Sequence, residues 1–161
     1  FGDFVEQDMV AVKVGPALRM RVIASPAYRA RHDAPQHPSE LLQHNCITFR
    51  ASSGVVERWD FARGLETLQL PVRGRIIVND SSALVQSVLD GLGIGYMISG
   101  HIDPFIARGE LVSLFEDWCP ALPGFTLYYS DRRRVSRKLR ALSDFLRQPS
   151  SRAPSPTLRV R

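Results

Sequence analysis

Residues 79–97, NDSSALVQSVLDGLGIGYM, constrain the fold more than any other part of the chain. The stretch opens on Asn79, Asp80, Ser81 and Ser82, residue types whose short polar side chains cap helix N-termini. Apolar positions follow at once. Leu84, Val85, Val88 and Leu89 recur at i, i+1, i+4 and i+5 and so share one helical face. Gly91 stands just past the last of them, where helices commonly end on a left-handed residue that glycine adopts without strain. Residues 94–98 then read as a buried strand. A one-sided helix that turns through glycine into a buried strand has to lie against a sheet, so the stretch predicts an α/β layer.

Gly91, Gly93 and Gly95 also invite comparison with a phosphate-binding loop. A dinucleotide fingerprint requires the reverse order, with glycines that follow a strand and open a helix whose N-terminus meets the pyrophosphate. Here the glycines close a helix, and G-x-G-x-G lacks the third glycine of G-x-G-x-x-G. Neither a nucleotide nor any other cofactor is expected.

Strands and helices alternate around this core. Residues 9–15 and 19–25 read as strands, with Val10, Val12, Val14 and then Met20, Val22, Ala24 on their apolar faces, joined tightly through Gly15-Pro16. Ser25-Pro26 starts a helix, and His37-Pro38 starts a shorter one through Leu41 and Leu42. Further strands are expected over 46–49, over 58–61 and along 67–80, where Leu68, Leu70, Val72, Ile76 and Val78 share a face. Pro71 removes one ladder donor from that long run, which makes it an edge or a bulge there. Asp103-Pro104 reads as the start of the next helix and Gly109 as its end. Strands over 110–115 and 125–130 follow, then a last helix capped by Ser136, with Leu139, Leu142 and Leu146 as its buried stripe and Phe145 beside it. Pro149 ends that helix, and residues 149–161 are expected to be disordered.

A net charge of +5 raises the question of nucleic acid. Much of the excess lies in Arg132, Arg133, Arg134, Arg137, Lys138 and Arg140 and in Arg152, Arg159 and Arg161. No helix-turn-helix, zinc-finger spacing or aromatic RNA-binding signature accompanies them, so a solvated helix face and a basic tail are the reading. With 44% hydrophobic and 23% charged residues the composition is that of a soluble globular protein, and no membrane partner is expected. Cys46 and Cys119 show no C-x-x-C spacing, which suits a reducing compartment, and Cys46 in the run CITF reads as a small buried hydrophobe. His32, His37, His44 and His101 lack metal-ligand spacing, so no metal is assigned. His44-Asn45-Cys46 imitates a cysteine protease only in letters, and Asp117-Trp118-Cys119 implies no general base. No catalytic residue is assigned, and an enzyme is the least favoured class.

Four segments carry a resemblance. They are DMVAVKVGPALRMRVIASPAYRARHDAPQHPSELLQHNCITFR, WDF, VNDSSALVQSVLDGLGIGYM and GELVSLFEDWCPALPGFTLYYSDRRRVSRKLRALSDFL. In order, they resemble the effector-binding domain of LysR-type transcriptional regulators. The resemblance implies a periplasmic-binding-protein type II-like α/β fold of two subdomains, the first of them incomplete. It assigns residues 1–23 to part of the first subdomain, 24–118 to the second, 119–148 to a return to the first, and 149–161 to a tail. Missing opening elements and a winged helix-turn-helix are then expected upstream of Phe1. The implied setting is the bacterial cytoplasm, and the implied partners are a small-molecule effector and a homodimer or homotetramer of the full-length protein. DNA would be reached only through the N-terminal domain. A stand-alone solute-binding protein of the periplasmic type is the alternative.

Relatives of this kind hold a ligand between their subdomains, which singles out three segments. Asn79, Asp80, Ser81 and Ser82 combine a helix N-terminus with hydroxyl and amide groups, although Asp80 brings a negative charge. Ile98, Ser99 and Gly100 are implied by the resemblance to line the cleft, with Ser99 where many relatives carry proline. Arg50, Ser52 and Ser53 follow a strand end, and Arg50 can pair with a ligand carboxylate.

Overall fold

The computed structural model describes residues 9–14, 17–119, 121–122, 124–130 and 137–147. The chain divides into two compact units, Phe1–Ala17 with Pro123–Arg161, and Leu18–Leu122. In order, the elements are β1 (Met9–Val14), β2 (Leu18–Ala24), α1 (Pro26–Arg29), a 3-10 turn (Pro38–Gln43), β3 (Thr48–Phe49), β4 (Trp59–Arg63) and β5 (Glu66–Leu70). After them come β6 (Ile77–Val78), α2 (Ser81–Leu89), β7 (Gly95–Ile98), α3 (Ser99–Ala107), β8 (Val112–Leu114), β9 (Ala121–Leu122), β10 (Phe125–Ser130) and α4 (Arg137–Arg147).

The larger unit is built on β2. Val22, Ile23 and Ala24 are consecutive and all fully buried, which only a strand covered on both faces allows. β2 pairs antiparallel with β7 on one edge and β8 on the other, and its first two residues pair with β9. β3 and β6 pair in parallel. A parallel bridge between Cys46 and Ile94 carries that pair onto β7, through Ile47 N–H to the Ile94 carbonyl at 2.8 Å and Ile94 N–H to the Asn45 carbonyl at 2.9 Å. The strands therefore follow the order β6-β3-β7-β2-β8. Val22 and Ala24 join Tyr28, Leu41, Cys46, Trp59, Phe61 and Trp118 in one core. Ile23 joins Ile47, Leu84, Val88, Met97 and Ile102 in the other, so α2 and α3 cover the opposite face.

The first two strands, expected to be joined tightly, belong to different ladders. β1 pairs antiparallel with β10 along its length, from Met9 opposite Ser130 to Val14 opposite Phe125. Gly15 and Pro16 lie outside the described residues. The units divide at Ala17/Leu18 and Leu122/Pro123, whereas the sequence reading divides the chain at 23/24 and 118/119. The difference arises because β2 and β9 belong to one ladder.

Three further expectations change for local reasons. The long run over 67–80 is two strands. β5 ends at Leu70 because Pro71 offers no N–H to continue the ladder, and the chain then crosses to pair β6 with β3. α3 begins at Ser99, not Asp103, so Pro104 lies inside the helix, where its missing N–H leaves the Gly100 carbonyl without its usual i+4 donor. Its entry residue, Ile98, makes no side-chain cap, which left Asp103-Pro104 as the stronger start signal in the sequence. In α4, Leu142 and Phe145 are exposed and Leu146 half-buried, while the side chain of Leu139, Ser136, Pro149 and the expected disordered tail lie outside what is described.

The expected helix over the central stretch forms as α2, with Leu84, Val85 and Val88 buried. Gly91, at φ +71°, donates to the Val88 carbonyl at 2.9 Å, and Leu92 N–H reaches the Ser87 carbonyl at 3.1 Å. These are the paired bonds of a Schellman closure. Gly93 serves a different purpose, since a Cβ there would stand 2.4 Å from the Asn45 carbonyl oxygen. We expect Gly91→Ala to cost about 1–2 kcal/mol, the penalty of a left-handed alanine. Gly93→Ala should cost about 3 kcal/mol, because backbone rather than a movable side chain blocks the methyl. Urea melts that rank the two the other way round would show that β7 does not lie so tightly against Asn45.

Candidate functional site

β3, β6 and β7 run in the same direction, so their carboxyl ends lie along one edge of the sheet. The first residue of β2, antiparallel to β7, lies at the same edge. Ligands of open α/β sheets bind outside strand carboxyl ends. Each of the three segments singled out in the sequence follows one of these strands.

After β3, Arg50 N–H donates to the Val78 carbonyl at 2.7 Å, which ties this segment to the end of β6, and its side chain is exposed. The chain turns back through Ala51 N–H to the Val55 carbonyl and Gly54 N–H to the Ala51 carbonyl, both 2.9 Å, with Gly54 at φ +84°. Ser52 and Ser53 sit exposed in that turn, and neither hydroxyl finds a hydrogen-bond partner among the described residues.

After β6, Asn79 and Asp80 are exposed and Asp80 caps α2. Its Oδ1 accepts from Ala83 N–H at 2.9 Å and its carbonyl from Leu84 N–H at 3.1 Å. Two of the four helix-terminal N–H groups are thereby satisfied. Those of Ser81 and Ser82 have no acceptor among the described residues. Ser81 is half-buried and Ser82 exposed.

After β7, Ile98 is half-buried and Gly100, the second residue of α3, is exposed. Ser99 is buried, and its hydroxyl accepts Arg19 N–H at 3.2 Å, fastening α3 to the start of β2.

A groove of about 200 Å³ leads from Ser81 and Ser82 between α2 and α3, lined also by Val85, Gln86, Leu89, His101 and Phe105. Sequence reasoning missed Gln86, His101 and Phe105. Their signal was present in the i, i+4 spacing of Ser82 and Gln86 and of Ser81, Val85 and Leu89. His101 and Phe105 stand four apart too, but fall on one helix face only once α3 is known to start at Ser99.

A family model for the LysR substrate binding domain matches residues 1–150. A Pseudomonas aeruginosa protein described as a transcriptional regulator is 42% identical over 91% of this chain and 48% of its own length. The HTH-type transcriptional regulator YcaN of Escherichia coli is 41% identical over 89% of this chain and 46% of its own length. The chain thus spans about half the length of these curated relatives. Among solved structures, the regulatory domain of CrgA from Neisseria meningitidis, a LysR-type transcriptional regulator, superposes with a TM-score of 0.72 at 28% identity, covering 90% of this chain and 70% of that one. The regulatory domain of AphB from Vibrio vulnificus gives 0.71 at 25% identity, with the same two coverages.

The enzyme-like letters in the sequence part company in space. His44 Nδ1 meets the Tyr28 hydroxyl, the Asn45 side chain accepts Arg75 N–H at 2.9 Å and donates to the Leu92 carbonyl, and Cys46 Sγ points to the Leu41 carbonyl at 3.5 Å. Asp117 pairs with Arg63 at 3.3 Å. Burial pushes the Cys46 thiol up to about 12 and raises that of Cys119 as well. Since the thiolate is the reacting species, we expect an aromatic disulfide reagent at about pH 8 to label neither cysteine of the native chain within minutes. Both should react after unfolding in concentrated guanidinium. Stoichiometric labelling of native Cys46 would contradict its burial.

Proposed function

The chain belongs to the LysR substrate-binding domain family, and from that premise we propose that it senses a small-molecule effector on behalf of a DNA-binding transcriptional regulator. One observation carries this reading: segments 50–53, 79–82 and 98–100 follow the carboxyl ends of strands that run side by side in the same direction. The family is one of regulators, and the reading includes no catalysis. The full-length protein would act as a homodimer or homotetramer in the cytoplasm and reach DNA through a helix-turn-helix outside this chain. An effector that binds one arrangement of that oligomer more tightly shifts the population toward it and alters promoter use.

The chemistry of the ligand follows from what the edge offers. The Ser81 and Ser82 N–H groups at the positive end of α2 suit an acceptor oxygen, and Arg50 supplies a full positive charge nearby in the backbone trace. The Asp80 carboxylate limits the negative charge such a site tolerates. A small monocarboxylate, aromatic or aliphatic, fits better than a phosphate or dicarboxylate.

Ser81→Pro tests this without breaking the helix. Ser81 is the first helical residue, where proline is favoured, and Asp80 already has the extended conformation (φ −130°, ψ 133°) that a following proline requires. The substitution removes one free N–H, so the unliganded melting temperature should stay within about 2 °C of the parent. In a thermal-shift screen of monocarboxylates, a ligand at a hundredfold excess over its Kd stabilises the parent by about 2.7 kcal/mol. Ser81→Pro and Arg50→Ala should each reduce that stabilisation. A response indifferent to both changes would place the effector elsewhere, and no response to any carboxylate would refute the ligand class.

A further inference from the structure

Tyr28 stands between two histidines and the backbone of Asn45. Its hydroxyl accepts Asn45 N–H at 3.3 Å and lies 3.2 Å from Nδ1 of His44, the residue that ends the 3-10 turn. Among the described residues no other acceptor serves that N–H. Burial keeps the hydroxyl protonated, and one arrangement uses every donor: the oxygen takes the Asn45 proton and gives its own to an unprotonated Nδ1. His32 is tied differently. Its ring stacks on Tyr28 with centroids 4.1 Å apart, and its Nδ1 lies 3.1 Å from the Tyr28 carbonyl. A carbonyl only accepts, so that nitrogen already carries a proton.

The two imidazoles therefore answer acid unequally. A second proton on His32 goes to Nε2 and disturbs no bond. A proton on Nδ1 of His44 turns an acceptor into a donor, facing a hydroxyl that already receives Asn45 N–H. Either the O–H of the buried Tyr28 loses its acceptor, or His44 turns away into the open depression of about 540 Å³ that it lines. Both outcomes weaken the hydrogen-bonded chain that ends on Asn45.

Charge reaches His44 from several elements. Arg29, Arg31, His32 and Asp33 line the same depression from α1 and the chain after it, and Glu40 lies in the 3-10 turn. Arg31 donates to the Gly91 carbonyl at 2.8 Å and the Ala27 carbonyl at 3.1 Å, and Glu40 accepts Gln36 N–H at 2.9 Å. The Cys46 thiol, pushed up to about 12 by burial, is neutral. Arg73 and Arg75 meet Cys46 and Asn45 through their backbone groups. Burial, aided by the His32 ring 6.5 Å away, holds His44 below the ordinary imidazole value against the opposing pull of Glu40 and Asp33.

We propose that His44, Tyr28 and Asn45 form a proton-sensitive clasp, in which protonation of His44 weakens the hold of Tyr28 on Asn45 and loosens the junction of the β3–β6 pair with β7. Asn45 transmits the change directly, since its carbonyl accepts Ile94 N–H at 2.9 Å. The clasp operates whether or not the carboxyl edge of the sheet holds an effector. An unfolded imidazole takes its proton near pH 6.5 and the folded His44 at a lower pH. The contribution to stability is therefore present in full above about pH 6.5 and lost as pH falls through that value towards the folded one.

An NMR titration of the chain, free of any histidine tag, between about pH 8 and 5 tests the clasp. The His44 ring should titrate below about 6.5, and the Asn45 and Ile94 amides should shift and lose exchange protection with the same midpoint. Tyr28→Phe should uncouple those amides from the His44 titration. His32→Gln leaves the hydroxyl chain intact, so the amide response should remain. Amides that ignore the His44 midpoint, a response unchanged in Tyr28→Phe, or a response lost in His32→Gln would overturn the proposal. If Tyr28→Phe does not fold, His44→Gln takes its place: the amide response should vanish there, and its persistence would overturn the proposal equally.

Discussion

The larger unit depends on Asn45. Its carbonyl accepts Ile94 N–H at 2.9 Å, and its N–H reaches the Tyr28 hydroxyl at 3.3 Å. Its side chain accepts Arg75 N–H at 2.9 Å and donates to the Leu92 carbonyl. One residue therefore joins the α1 region, the approach to β6 and the glycine turn after α2. Each bond contributes only about 1 kcal/mol net. Their joint effect is geometric, because they fix where the β3–β6 pair meets β7. Without that crossing, the strand ends that bring segments 50–53, 79–82 and 98–100 to one edge would have no common register. Gly93 belongs to the same constraint, since any side chain there would push against the Asn45 carbonyl.

What could be read in the sequence divides along the distance over which each signal acts. The cap of α2, its buried face and its glycine closure involve neighbours within a few residues, and Ser25 capping α1 with Pro26 in its first turn is equally local. The α/β class and the family resemblance were legible because several such local signals occur in a fixed order. The pairing of β1 with β10 was not, since Val10, Val12 and Val14 alternate in the same way whichever strand they face. The start of α3 was misplaced because Asp103-Pro104 has the chemistry of a helix start while Ile98, the actual entry, has none. For the candidate site, the three segments were visible one at a time, 79–82 as a helix N-terminus, 50–53 after a strand end and 98–100 through the family resemblance. Their arrival at one edge was not, because it rests on the bridge between Cys46 and Ile94, separated by almost half of the larger unit.

Charge adds a constraint that the overall excess obscures. Residues 18–122 contain ten Lys or Arg against eleven Asp or Glu, so the +5 of the whole chain is carried outside the larger unit. Any attraction for an anion at the carboxyl edge is therefore local. It comes from the partial charge at the start of α2 and from Arg50, opposed by Asp80. Partial charges of this kind act within the first turn of a helix and are screened by salt. A site built on them selects ligands by contact and geometry, not by long-range steering.

Topology also explains why the serines and not the glycines of residues 79–97 belong to the proposed effector site. β6 and β7 run in the same direction, and α2 connects them, so the helix has to travel back against the strands. Its N-terminus must then emerge at the carboxyl edge and its C-terminus at the amino edge. The free N–H groups of Ser81 and Ser82 are therefore delivered to the edge shared with Arg50 and Gly100, whatever the side chains between them. Gly91 and Gly93 are delivered to the other edge, where the backbone must close a helix and pass Asn45 within van der Waals contact. There the amides of Gly91, Leu92 and Ile94 already donate to the carbonyls of Val88, Ser87 and Asn45, so these three are not free for a phosphate.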